Sequence, residues 1–306
     1  MGKVLGACMS EPAESIIFVV DGKRLEAQSL ILAATLAAHH DTAQEVQLIA
    51  YVSEPTLRAL DPATLALFDA CQVRIAALPD SAGLWRRPYP HGNKILACAA
   101  PRPGRRTTFL DTDIAVTGKI TGLAGQNPHA VFAVPEGRPT WGKGDAWTRA
   151  YGFFGLPLPQ DRVTLTRGRR KQSLPYFNAG FIAFGDLPLA PQGQSFAALW
   201  LDCARRFDWD CAIANKRPWL DQITLPLALA AAGMTCTILP EAYNYSTSKR
   251  EDFSEIGAAK VIHYHRSIYF NQLPNRAQIL AQVYDRIPAP RHTSLTTLLG
   301  DFAQPS

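Results

Sequence analysis

Apolar positions in this chain come in short blocks separated by polar turns. Ile16-Ile17-Phe18-Val19-Val20 is continuous, rich in β-branched residues, and ends in Asp21-Gly22. Such a run, closed by a turn, predicts a strand buried on both faces. Leu25 to Ala38 follows with helix-forming residues. Val46 to Val52 predicts a second strand, and a helix opening near Pro55 is expected to run to about Ala70. Val73 to Leu78 is a short third strand, Asn93 to Ala100 a helix, and Arg105 to Val116 carries a fourth strand. Strand and helix in alternation predict an α/β fold, a mostly parallel twisted sheet with helices on both faces.

The second half is less regular. Val131 to Val134, Tyr176 to Phe184, Thr235 to Leu239 and Lys260 to His265 have strand character. Asn178-Ala179-Gly180 interrupts one of them, and a glycine inside a strand marks close backbone approach. Ser195 to Phe207 and Leu220 to Ala232 predict helices, with Pro226 placed to kink or restart the second. Pro135 to Arg170 reads as loop with short elements. From about Pro288, Pro, Ser and Thr predict a loosely packed tail, 288–306. No internal repeat is evident.

Composition narrows the class. At 306 residues with 47% hydrophobic content, the chain can bury a sizeable core. Net charge is +5, which suits an anionic substrate and requires no nucleic acid. Six cysteines (Cys8, Cys71, Cys98, Cys203, Cys211, Cys236) are scattered without a Cys-x-x-Cys pair, and read as reduced thiols of a cytoplasmic protein. Met1 to Ser10 lacks the apolar core of a leader, and Leu30 to Ala38 is too short to span a bilayer. No transmembrane segment is therefore expected, while peripheral membrane contact stays open.

The candidate chemistry sits in Phe109-Leu110-Asp111-Thr112-Asp113. Two carboxylates two positions apart point the same way on an extended backbone. They would repel each other unless a hard divalent cation, Mn2+ or Mg2+, joined them to a phosphate. Ligands of open α/β sheets bind beyond the carboxyl ends of the strands, where Asp21 also falls. An Asp-rich turn with solvated side chains reads equally well from this tripeptide alone.

In order along the chain, Asp111-Thr112-Asp113, Phe177-Asn178-Ala179-Gly180-Phe181, Asp221-Gln222 and Val261-Ile262-His263-Tyr264 resemble the motifs of GT-A fold glycosyltransferases. The resemblance is to glycosyltransferase family 8, the glycogenin and lipopolysaccharide galactosyltransferase type, over roughly residues 16–270. It implies one GT-A domain over 1–287, with a nucleotide-binding half at about 14–117 and an acceptor half at about 118–287. The implied activity is metal-dependent transfer of a sugar from a nucleotide-sugar, a UDP-sugar, to a glycan, lipid-linked saccharide or protein, with retention. Asp111 and Asp113 would hold Mn2+ together with His263, His265 being the second choice. Asp21 would contact uracil or ribose, and Lys94 the donor phosphate or sugar. Thr112 and Gly180 fall within the implied donor motifs. Asn178, Asp221 and Gln222 would stand near the reacting sugar. The family's Gly after the histidine and its Lys-Pro-Trp are missing, and Arg266 stands in that region to take part of the diphosphate clamp.

Two alternatives remain at this level. One is a non-catalytic nucleotide-sugar-binding member of the same fold. The other is a haloacid-dehalogenase-type phosphatase, whose first motif also ends a strand in Asp-x-Asp, although Ala115 departs from it. The basic run Arg167 to Lys171 reads as a solvated loop or as a lure for an anionic acceptor. Trp141, Trp147, Tyr151, Phe153 and Phe154 read as core, with stacking on an acceptor sugar as the rival.

Overall fold

A computed structural model describes residues 14–42, 44–127, 129–189 and 193–303. Cys8 and the Met1–Ser10 segment lie outside them. Seven strands form the central sheet. Across it, they run Thr235–Ile238, Ala130–Pro135, Phe177–Gly185, Arg106–Leu110, Glu14–Val20, Val46–Val52 and Val73–Ala77. All are mutually parallel except Phe177–Gly185, which runs antiparallel to both its neighbours. Its amino end, carrying Asn178, thus meets the carboxyl ends of the flanking strands.

Side chains of the first strand alternate between two cores. Ile16, Phe18 and Val20 join one hydrophobic cluster, and Ile17 and Val19 join another on the opposite face. Burial on both faces is what a continuous apolar run encodes. The strand begins two residues earlier than its apolar run because Glu14 is buried and satisfied. Its carboxylate accepts from Thr108 Oγ1 at 3.1 Å and from Gly122 N at 2.8 Å.

Several elements differ from expectation for identifiable reasons. The helix expected from Pro55 to Ala70 is two, Glu54–Leu57 and Pro62–Ala70. Asp61 caps the second by accepting from Ala63 N at 2.8 Å, with Pro62 at its first position. Leu220–Ala232 continues through Pro226 as one helix. The tail expected after Pro288 is packed: His292–Leu299 is helical, and Leu295, Leu299 and Phe302 are buried. Leu295 and Leu299, four apart, share one side of this helix, and Phe302 follows in a separate turn after Gly300. Trp141, Trp147 and Tyr151 are buried in the second cluster, and Phe153 and Phe154 pack beside Phe207. The five described cysteines form no disulfide. Among the described residues no helix is long and apolar enough to cross a membrane.

A second, three-stranded sheet sits at the carboxyl edge of the first. Val261–His263 pairs antiparallel with Ile114–Val116 and parallel with Tyr245–Ser246. The chain therefore leaves the large sheet at Leu110 and enters the small one at Ile114. Asp111, Thr112 and Asp113 form the bend between them.

Candidate active site

That bend corrects the extended-strand picture of the two aspartates. Asp111 ends the large sheet's ladder, its N–H donating to the Gly180 carbonyl at 2.9 Å. Asp113 begins the small sheet's ladder, its carbonyl accepting from Tyr264 N at 3.0 Å. Register then decides the next contact. His263 pairs with Ile114, which sets its ring beside Asp113, Nε2 to Oδ1 at 3.1 Å. The strand stops at His263, and His265 takes φ 61°. This left-handed backbone folds its ring back onto His263, with centroids 3.9 Å apart. Few non-glycine residues adopt this region, histidine more readily than most. His265 Nε2 lies 2.8 Å from Ser246 Oγ.

Asp113, His263 and His265 each offer a donor atom, all within 4.8 Å of one another. One carboxylate and two imidazoles form a set that a divalent ion such as Mn2+ accepts. Gly180 lets these side chains close in on the backbone: a Cβ there would come within 2.7 Å of His263 Cε1 and 3.0 Å of Asp111 Oδ2. Electrostatics separate the two histidines. Burial disfavours charge on His263, but Asp113 overcomes it and raises the ring's pKa. Burial and the neighbouring His263 push His265 down to about 3, so its imidazole is neutral. Burial also works against charge on Asp113, and His263 outweighs it, holding that carboxyl well below the usual range.

Asp111 has a different partner. Lys94 Nζ lies 2.9 and 3.0 Å from its two oxygens, 3.0 Å from Asp221 Oδ2 and 3.3 Å from the Ala179 carbonyl. The ammonium expected to meet the donor is thus also bonded to four oxygens within the protein. Burial opposes its charge, but the two aspartates hold its pKa above the ordinary lysine value. Burial pushes the Asp111 carboxyl up, against the pull of Lys94. Asp221 also accepts from Tyr89 Oη at 2.8 Å. Its neighbour Gln222 accepts from Tyr176 Oη and donates to Glu136, both at 2.9 Å.

Asp21 lies across the cleft, fixed by Ser53 Oγ at 2.6 Å and Asn93 Nδ2 at 2.9 Å. The cleft, about 320 Å³, is lined by Asp21, Arg24, Asn93, Lys94, Asp111 and Asp113, among others. Thr112 lines it too, with its carbonyl facing Tyr264 Oη. Gln28 borders it, and neither atom of its buried amide has a hydrogen-bond partner. Arg266 is exposed immediately after His265. Arg169, Arg170 and Lys171 are exposed at the tip of the Val163–Thr164 and Gln172–Ser173 hairpin, while Arg167 reaches Ser246 Oγ at 3.3 Å.

The structure therefore brings Asp111, Asp113, Asn178, Gly180, His263 and His265 together, with Asp221 and Gln222 joined through Lys94 and Glu136. Sequence inspection missed Tyr89, Glu136, Tyr176 and Asn244. Glu136 was findable, because it directly follows a strand at the same carboxyl edge as Asp21 and Asp111. Asn244, in an irregular segment after a 3-10 turn, carried no such signal.

Residues 16–233 match the family model of the Rhodobacterales glycosyltransferase domain. The chain belongs to this glycosyltransferase family. Its fold is that of GT-A glycosyltransferases. The bifunctional glycosyltransferase WbbM in its apo form is similar at 13% identity and TM-score 0.56, over 96% of this chain and 53% of that one. This chain thus spans about half of WbbM. An active-site mutant of LgtC is similar at 12% identity and TM-score 0.54, over 91% of this chain and 99% of that one. The galactosyltransferase LgtC with donor and acceptor sugar analogs gives 14% identity and TM-score 0.50, with the same coverage. At these identities the likeness is one of fold. No curated protein matches the chain. The phosphatase alternative falls with the family assignment.

Proposed function

We propose that this glycosyltransferase moves a sugar from a UDP-sugar to a saccharide, lipid-linked saccharide or protein acceptor, with retention, using Mn2+ or Mg2+. The observation carrying this reading is the Asp113–His263–His265 donor group at the sheet's carboxyl edge, opening beside a cleft that Asp21 and Asn93 border. Asp113, His263 and His265 would hold the cation, with Asp111 alongside. When bound, the ion supplies Lewis-acid stabilisation of the departing diphosphate.

The residues around it have separable tasks. Breaking the sugar–phosphate bond leaves positive charge at the anomeric carbon, as in glycoside hydrolysis. The Gln222 amide and the Asp221 carboxylate are the polar groups proposed to face that charge, preorganised by Tyr176, Glu136, Tyr89 and Lys94. Asn178 is proposed to orient the sugar, and the absence of a side chain at Gly180 lets Asn178, His263 and Asp111 gather there. Asp21, pinned by Ser53 and Asn93, is positioned to accept a hydrogen bond from the nucleoside. Arg266 offers an exposed cation to the diphosphate.

A panel of UDP-, GDP- and CMP-sugars tests the reading. The expected result is slow, Mn2+-dependent release of UDP from at least one UDP-sugar. Asp113→Ala should abolish that release and cation binding while leaving the circular dichroism spectrum unchanged. Undiminished Mn2+-dependent donor binding by Asp113→Ala would remove Asp113 from the site.

A further inference from the structure

A continuous chain of hydrogen bonds joins His263 to Gln222 through three side chains that no comparison assigns. His263 Nδ1 lies 2.9 Å from Asn244 Oδ1. Asn244 Nδ2 donates to Asn178 Oδ1 at 2.8 Å. Asn178 Nδ2 donates to Glu136 Oε2 at 2.9 Å, and the same oxygen accepts from Gln222 Nε2 at 2.9 Å. Tyr176 Oη closes the far end on Gln222 Oε1.

The direction of this chain follows from its fixed members. An amide's oxygen and nitrogen are told apart only by their partners. Asn178 Oδ1 also accepts from the backbone N–H of Gly180 at 2.9 Å, and a backbone N–H cannot turn acceptor. At the other end Glu136 is a carboxylate, which only accepts when ionised. These two anchors leave one orientation for Asn178. Asn244 must then present its NH2 to Asn178 and its carbonyl oxygen to His263. Nδ1 of His263 therefore carries the hydrogen, and Nε2 is the nitrogen left for the side of Asp113. Ligand histidines commonly owe their tautomer and ring angle to such an outer hydrogen bond.

We propose that Asn244 and Glu136 are positioning residues of one relay, which presents His263 Nε2 to a divalent cation and holds the Gln222 amide in a single orientation. The relay ties the cation's ligand to the group proposed at the reacting sugar. Asn244 is 5% exposed and so is shielded from competing water. The consequence for the cation rests on the function proposed above, whereas the hydrogen on Nδ1 does not.

The test has two arms. In the first, Mn2+ affinity is measured from free-ion signal without nucleotide. Asn244→Leu, which can neither donate nor accept, should weaken binding about tenfold to a hundredfold, the usual effect of losing an outer-shell partner. Asn244→Asp keeps an acceptor for Nδ1–H and should stay within about threefold of the parent by the same reasoning. In the second arm, 15N-histidine NMR of the metal-free protein should show an exchange-protected Nδ1–H for His263, retained in Asn244→Asp and lost in Asn244→Leu. Should Asn244→Leu not fold, Glu136→Leu replaces it. That variant leaves the cation ligands untouched, yet should weaken Mn2+ binding and free the Gln222 side chain, while Glu136→Gln restores part of both. Wild-type Mn2+ affinity in the leucine variants, or a His263 Nδ1 without its hydrogen, would overturn the relay. Absence of Mn2+ binding by the parent protein would sink the metal reading instead, and the NMR arm would still decide the relay.

Discussion

Lys94 Nζ lies 3.0 Å from Asp221 Oδ2, with both side chains less than a tenth exposed. The helix Asn93–Ala99 and the helix Leu220–Ala232 are thereby joined by charge at the cleft, which Lys94 lines. Asp111 completes the triad from the bend. A buried cation shared by two carboxylates is costly to break from the cation's side, because both acids are left without compensation. Lys94→Met is expected to destabilise the protein by about 3–5 kcal/mol. Urea denaturation measures this, and the double variant with Asp221→Leu should recover part of the loss. An unchanged denaturation midpoint would show that the aspartates find other partners.

Gly180 is the next point of constraint. An added methyl would stand 2.7 Å from His263 Cε1, 2.9 Å from Asn178 Oδ1 and 3.0 Å from Asp111 Oδ2. These neighbours are all pinned by hydrogen bonds, so none can yield cheaply. Gly180→Ala should cost about 1–3 kcal/mol, as overpacking does, and weaken Mn2+ binding. Thermal denaturation and an ion titration check the two effects.

His40 supplies a pH dependence away from the site. Its ring is held as neutral imidazole, Nδ1 bonding the Leu36 carbonyl at 3.0 Å and Nε2 accepting from Ile120 N at 3.1 Å. Burial lowers its pKa below the ordinary 6.5. On acidification the unfolded chain takes up this proton first, so the stability it confers is full above 6.5 and is lost as pH falls toward the folded value. The urea midpoint should therefore drop between about pH 7.5 and about pH 5.5, and drop less in His40→Gln. Equal slopes in both proteins would exclude His40 as the cause.

The turn Gly300–Phe302 bears on the site through packing. Phe302 meets the rings of Tyr264 and Phe270 at centroid distances of 5.8 and 5.6 Å, and Tyr264 lies between His263 and His265. Phe302→Ala should lower stability by about 3 kcal/mol, the lower end for a buried phenylalanine, because its ring keeps some exposure. Calorimetry gives the loss. A change in Mn2+ affinity beyond it would show that the tail also steadies the histidine turn.

Much of the architecture was legible in the residues alone. Continuous apolar runs such as Ile16–Val20 and Val46–Val52 are dictated by burial on both faces, a local periodic demand that survives without knowledge of neighbours. Asp111, Asp113 and His263 stood out as candidates through the order of their motifs, which resembles glycosyltransferase family 8, since Asp-x-Asp by itself reads equally well as a solvated turn. Only the tertiary structure decided that Asp111 and Asp113 divide between two sheets, that Lys94 bridges Asp111 to Asp221, and that Asn244 faces His263. These polar contacts join residues from 17 to 127 positions apart in sequence, or 19 through an irregular turn. A hydrogen bond is set by a few ångströms of register and a left-handed turn at His265, and neither leaves a period in the sequence.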